Sequence, residues 1–172
     1  TAMVGRINSD LANDLGNLAQ RVLSMIARNC GGAVPEQGEF EDCDRVLLDK
    51  AAGLLAELRR VMDAQSFNKG LEAVWVVVRA ANAYVDKQAP WKLKKENPAR
   101  MNTVLYVLAE TIRHLGILLQ PFMPGSSAGM LDQLAVSPGH RDFTYLDSGH
   151  SLVAGAALPA PRGIFPRFRD EG

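Results

Sequence analysis

A chain of 172 residues, 47% of them hydrophobic, can close one well-formed core with length left over for a tail. Nineteen basic residues balance nineteen acidic ones, so net charge neither excludes a nucleic acid nor points to one. No apolar run reaches the roughly 18–20 residues that span a bilayer, and no basic-then-apolar leader opens the chain, so no membrane role is expected.

The two cysteines, Cys30 and Cys43, form neither a CxxC pair nor a Cys/His cluster. Free thiols in a cytoplasmic protein are the expectation. The chain begins at Thr1, as a piece cut from a longer protein would, and equally as a trimmed chain would.

In chain order, Leu11, Leu15, Leu18, Val22, Met25 and Ile26 recur at three- and four-residue steps and predict a helix over about 5–30, stopped by Gly31-Gly32. Its other face carries Asn13, Asn17 and Arg21 at i, i+4 and i+8, a row of directional donors and acceptors where asparagine is a poor helix former. After a loop with Pro35 and Gly38, Val46, Leu47, Ala51, Leu54, Leu55, Leu58 and Met62 predict a second helix over about 41–64. Its acidic start and Arg59-Arg60 suit the helix dipole. Ser66 is the expected N-cap of a third helix, about 67–88, whose buried face includes Leu71, Val74, Trp75, Val78 and Val85; Trp75 is expected in the core.

Pro90 ends that helix. A fourth helix is expected over about 98–119 with Pro98 in its first turn, broken by Pro121 and Pro124. A short fifth follows at about 126–135. Past Pro138 glycine, proline and alanine dominate and no helical period survives; Leu158, Ile164, Phe165 and Phe168 space an extended tail that lies on a surface. The fold expected is all-α: an antiparallel bundle of four main helices plus one short helix, residues 1–138, with an irregular Pro/Gly-rich tail over 139–172.

No catalytic constellation appears. His114 has the setting of a surface or interhelical residue, and His140 and His150 stand in loops without metal-ligand spacing. No GxGxxG, Walker loop or GxSxG occurs. What remains is binding. From Glu36 to Asp49 six acids face one base, whereas from Lys69 to Arg100 seven bases face three acids, so the positive end coincides with Ala89-Pro90-Trp91.

The residues alone leave two readings of that corner. Trp91 is either a core plug at a helix–helix junction or a platform for an unpaired RNA base beside Lys92, Lys94 and Lys95. Asn13 and Asn17 either bridge helices or, with Arg21, offer groups to base edges. The second pair of readings joins into one site if the end of helix 3 lies near the N-terminal part of helix 1, as an antiparallel bundle is expected to place it.

Asn8-Ser-Asp-Leu-Ala-Asn-Asp-Leu-Gly-Asn-Leu18, Phe67-Asn and Tyr84-Val-Asp-Lys-Gln-Ala-Pro-Trp91, in this order and spacing, resemble the C-terminal α-helical anticodon-binding domain of the methionyl-tRNA synthetases. The resemblance covers about residues 6–135, and the closing Pro159-Ala-Pro-Arg-Gly-Ile-Phe-Pro-Arg167 is similar to the end of short bacterial forms. It implies that Trp91, held by Pro90, stacks on the first base of a CAU anticodon, that Asn17 and Arg21 contact anticodon nucleotides, and that Asn13 supports the same surface. It also implies tRNA(Met) and the enzyme's own catalytic domain as partners, a monomer, and ATP with magnesium for the whole enzyme but no cofactor in this chain.

The catalytic half of that family is not recognisable: there is no HIGH-like motif, since Arg113-His-Leu-Gly116 is mid-helix, no KMSKS-like loop and no zinc knuckle. Two other roles stay open on the residues. One is a helical module that docks another protein through Ile164, Phe165 and Phe168. The other is the same bundle from a related class I synthetase.

Overall fold

The computed structural model describes residues 2–63 and 67–162. Six α-helices lie within them: α1 (Ala2–Asn29), α2 (Asp42–Asp63), α3 (Phe67–Gln88), α4 (Pro90–Glu96), α5 (Pro98–Leu118) and α6 (Pro124–Gln133). The four long helices stand within a few residues of their predicted ends. Gly31 and Gly32 stop α1 with φ of 63° and 70°, the left-handed region glycine enters without penalty. Ser66, Ile164, Phe165 and Phe168 fall outside the described residues, as does the side chain of Met62.

Two elements differ from expectation. Pro90–Glu96 is a helix, of seven residues, where the sequence offered only a corner. Its one half-buried apolar side chain past the proline is Leu93, too little for a period to show. Pro124 starts α6 rather than ending the preceding helix; it occupies the first turn, where its missing N–H costs nothing.

The long helices run up-down-up-down. Tyr84 near the end of α3 touches Asp44 at the start of α2, so α2 and α3 are antiparallel. Asp14 bonds Trp75 and Arg21 bonds Asp86, residue numbers rising together, so α1 and α3 run parallel. The end of α3 therefore meets the C-terminal half of α1, not its N-terminal part as expected from the sequence. Alternate helices in such a bundle share a direction.

At the centre is α5. Every residue from Thr103 to Leu118 is buried, so this helix is enclosed on all sides rather than along one stripe. Gly116 lets α6 approach: a Cβ there would lie 3.0 Å from Cδ2 of Leu131. Full enclosure takes polar groups inside. Glu110 and Arg113 pair, and each is spent on the segment that follows α6: Arg113 Nη1 donates to the carbonyl of Tyr145 at 2.6 Å, and Glu110 Oε2 accepts from the N–H of Leu152 at 3.2 Å.

That segment is less extended than predicted. Three 3-10 turns, Pro138–His140, Phe143–Leu146 and Ser148–His150, precede the extended stretch. The stretch itself pairs with the loop after α1, through Val34 N–H to Ala156 O (2.9 Å) and Leu158 N–H to Gly32 O (2.8 Å). Gln133 at the end of α6 then makes two hydrogen bonds to the backbone of Arg162, both 2.9 Å.

His114, 6% exposed, takes the interhelical setting rather than the surface one. Burial first, and the Arg113 cation second, push its imidazole from the usual 6.5 down to about 4, a hydrogen bond with the Ala51 backbone offsetting part of this. The imidazole is thus neutral in the folded chain where it is protonated in the unfolded one. Its contribution to stability is complete above pH 6.5, declines as pH falls from 6.5 towards 4, and changes no further below that. Melting temperatures taken from pH 7.5 down to 4 fall with that profile, and His114→Gln flattens the slope in this window.

Candidate nucleic-acid interface

The stretch from Tyr84 to Trp91 is built so that one aromatic is turned out while everything beneath it is tied down. Tyr84 points inward and donates to Asp44 Oδ1 at 2.5 Å. Gln88 faces the same side; its Oε1 accepts from Arg100 Nη2 at 3.0 Å. Arg100 in turn grips Asp44 with two hydrogen bonds, 2.6 and 2.8 Å. Asp44 is fully buried. Burial alone would raise its carboxyl, but the hydrogen bonds from Arg100, Tyr84 and the Glu41 N–H outweigh this and hold it below its ordinary value. Burial and the same carboxylate raise the Tyr84 hydroxyl well above its ordinary range, so it stays a donor. This network joins α2, α3 and α5 directly under the corner.

Ala89 then takes φ 47°, ψ 63°, a left-handed conformation that turns the chain between α3 and α4. Left-handed alanine is uncommon and costs of order 1 kcal/mol. Pro90, at the first position of α4, is buried, so the plug of the corner is Pro90. Trp91 is 47% exposed, which removes the core-plug reading. Asn97 caps α5 by accepting from the Arg100 N–H at 3.2 Å and thereby sets Arg100 in position.

From α1, Arg21 reaches the corner. Its guanidinium lies 5.7 Å from the Trp91 ring centroid, within cation–π range, and its Nη2 is 3.3 Å from Asp86 Oδ1. That ion pair is exposed and worth no more than about 1 kcal/mol, so Arg21 can be redirected at little cost. Asn17 is exposed one turn earlier on the same stripe, about 6 Å along the axis, and Asn13 is exposed two turns earlier, about 12 Å away. The structure thus brings Arg21 and Trp91 together and continues the row with Asn17. Asn13 lies apart, level with Trp75.

Trp75 is not in the core. It is half-buried at the seam between α1 and α3, where its indole N–H donates to Asp14 at 2.7 Å and Arg79 stacks at 4.9 Å from its ring. The cations around Trp91, namely Arg28, Lys87, Lys92, Lys94 and Lys95, are all exposed. Among the described residues no group of three or more His, Cys, Asp or Glu is placed to hold a metal, and no helix is long and apolar enough to cross a membrane.

Sequence reasoning missed Asp44, Gln88 and Arg100. A signal existed for the first: Asp44 falls on the apolar stripe of α2, at i, i+3, i+7 and i+10 with Leu47, Ala51 and Leu54. An acid on a buried stripe asks for a cation.

The described residues form a helical domain that carries an outward tryptophan beside exposed cations. The fold is similar to the corresponding part of Mycobacterium tuberculosis methionyl-tRNA synthetase, with TM-score 0.90 and 47% identity to the apo crystal structure over 98% of this chain and 34% of that one. Against the same enzyme bound by methionyl-adenylate the TM-score is 0.89, over 96% of this chain and 33% of that one. The profile of the family described as the anticodon binding domain of methionyl tRNA ligase matches residues 34–172, and the chain belongs to that family. Curated relatives agree: it is 51% identical to the methionine–tRNA ligase of Mesorhizobium japonicum over 170 residues, and 50% identical to that of Brucella suis over 167. The chain covers 33% and 32% of those proteins, so it spans about a third of their length.

Proposed function

We propose that this chain reads the CAU anticodon loop of tRNA(Met) as the anticodon-binding part of a methionine–tRNA ligase, the whole enzyme attaching methionine to tRNA with ATP. The observation that carries the reading is Trp91, exposed on a corner whose Tyr84, Gln88 and Pro90 are held from below. An indole held in one orientation loses little freedom on binding, and any base offers a π-face to it. The first anticodon base, a cytosine, stacks on Trp91. Arg21 swings to anticodon nucleotides or their backbone, and Asn17 offers its amide to a neighbouring base edge. Asn13 supports the same surface two turns away, and Pro90 holds the platform. The partners on this reading are tRNA(Met) and the catalytic domain of the same enzyme; the working form is a monomer in the cytoplasm, and ATP with magnesium act in the remainder of the enzyme.

Gel-shift titrations at fixed salt test this directly. A CAU stem-loop binds at least about fivefold more tightly than stem-loops with one anticodon base changed, since each wrong base costs roughly 1–3 kcal/mol. Equal binding of all variants, or preference for another anticodon, overturns the assignment.

A further inference from the structure

We infer that the groove between α1 and Trp91 is a single-nucleotide cradle in which Arg28 holds the phosphate and the Gln20–Ser24 pair faces the base edge. This rests on the anticodon reading and names side chains that it does not use. The groove has a volume of about 290 Å³ and is lined by Gln20, Arg21, Ser24, Met25, Arg28 and Trp91. That is room for one nucleotide and not for a base pair. Its lining includes the Trp91 indole and the Met25 thioether, and no acid.

The two arginines are not equivalent. Arg21 starts out paired with Asp86, while Arg28 makes no ion pair among the described residues and stands exposed in the last turn of α1. An uncompensated guanidinium beside a base platform suits a phosphodiester. Gln20 Nε2 donates to Ser24 Oγ at 3.3 Å. That bond leaves the Ser24 hydroxyl to donate and Gln20 Oε1 to accept. Cytosine meets both groups with its N4 amino group and N3, and uracil meets both with N3–H and O4, so the pair grips either pyrimidine edge.

Arg28→Ala weakens stem-loop binding about fivefold at 0.1 M salt and lowers the slope of log affinity against log salt by about 0.7, the value for one phosphate contact on a single strand. The loss is the same for every anticodon, and Arg28→Lys keeps the slope. Gln20→Ala/Ser24→Ala lowers stem-loop affinity about fivefold, equally with cytosine or uracil at the stacked position. Melting temperatures of the variants, which alter surface and groove side chains, serve as folding controls. If Arg28→Ala keeps the parent affinity and slope while Trp91→Ala has lost affinity, the cradle is wrong and the anticodon reading stands. Parent affinity in the double variant likewise overturns the edge assignment. If Trp91→Ala also binds as the parent does, the anticodon reading itself fails.

Discussion

Replacing Trp91 by alanine lowers the affinity of the chain for a CAU stem-loop by about five- to 150-fold, because base–aromatic stacking is worth roughly 1–3 kcal/mol by truncation. The loss is specific to binding. Trp91 is half out of the fold, and its indole makes no hydrogen bond among the described residues, so the melting temperature changes little. What the variant gives up inside the protein is the contact with Arg21, an exposed cation–π pair worth about 0.5–1 kcal/mol.

Trp91→Phe separates stacking from shape. It keeps a planar π-face of smaller area and recovers most of the affinity, whereas Trp91→Leu, apolar but not planar, recovers little. Alanine binding as tightly as the parent would show that the tryptophan is no platform. Trp75→Ala is the contrast: its indole N–H is committed to Asp14, so its removal lowers stability and leaves stem-loop affinity nearly untouched.

What could be read from the sequence divides along physical lines. Helices of twenty residues announce themselves through periodicity, and all four long ones stood where the apolar steps put them. The motif from Tyr84 to Trp91 was recognisable, but its internal logic was not. Tyr84, Gln88 and Pro90 face down and Trp91 faces out because α3 stops at a left-handed alanine, and a left-handed alanine has no sequence signature.

Register between helices was out of reach for another reason. Whether Arg21 or Asn13 meets the end of α3 depends on direction and stagger, which hydrophobic pattern does not encode. The seven residues of α4 carry less than two turns of information, and isolated they would not be helical; docking of Pro90 and Leu93 makes them so. Nothing in the sequence marks Glu110 and Arg113 as buried; their partners come from the fold-back of residues 143–152.

Asp44→Ala is the most destabilising single change expected, costing about 3–5 kcal/mol in equilibrium unfolding by guanidinium, as removal of one partner from a buried ion pair does. The carboxylate accepts from Arg100 twice, from Tyr84 and from the Glu41 N–H, all at 2.5–2.9 Å, so its removal strands three donors in a space where water is scarce. Arg100, only 11% exposed at its side chain, keeps Gln88 and the exposed Glu41 as partners, and neither replaces a buried carboxylate. A loss below about 1 kcal/mol would mean that the network is incidental.

The apolar pair Asp44→Leu/Arg100→Met restores much of the stability, since hydrophobic residues can stand in for a buried ion pair. It does not restore binding, because Gln88 loses the guanidinium that fixes the turn into Pro90-Trp91. Protonation mimics the mutation. The Asp44 pKa is depressed in the fold, so its contribution is present above the ordinary 3.8 and is lost as pH falls below it, at more acid pH than the His114 transition. Stability and stem-loop affinity therefore separate in the double variant, and that separation identifies the network as the support of the Trp91 platform rather than as one more core contact.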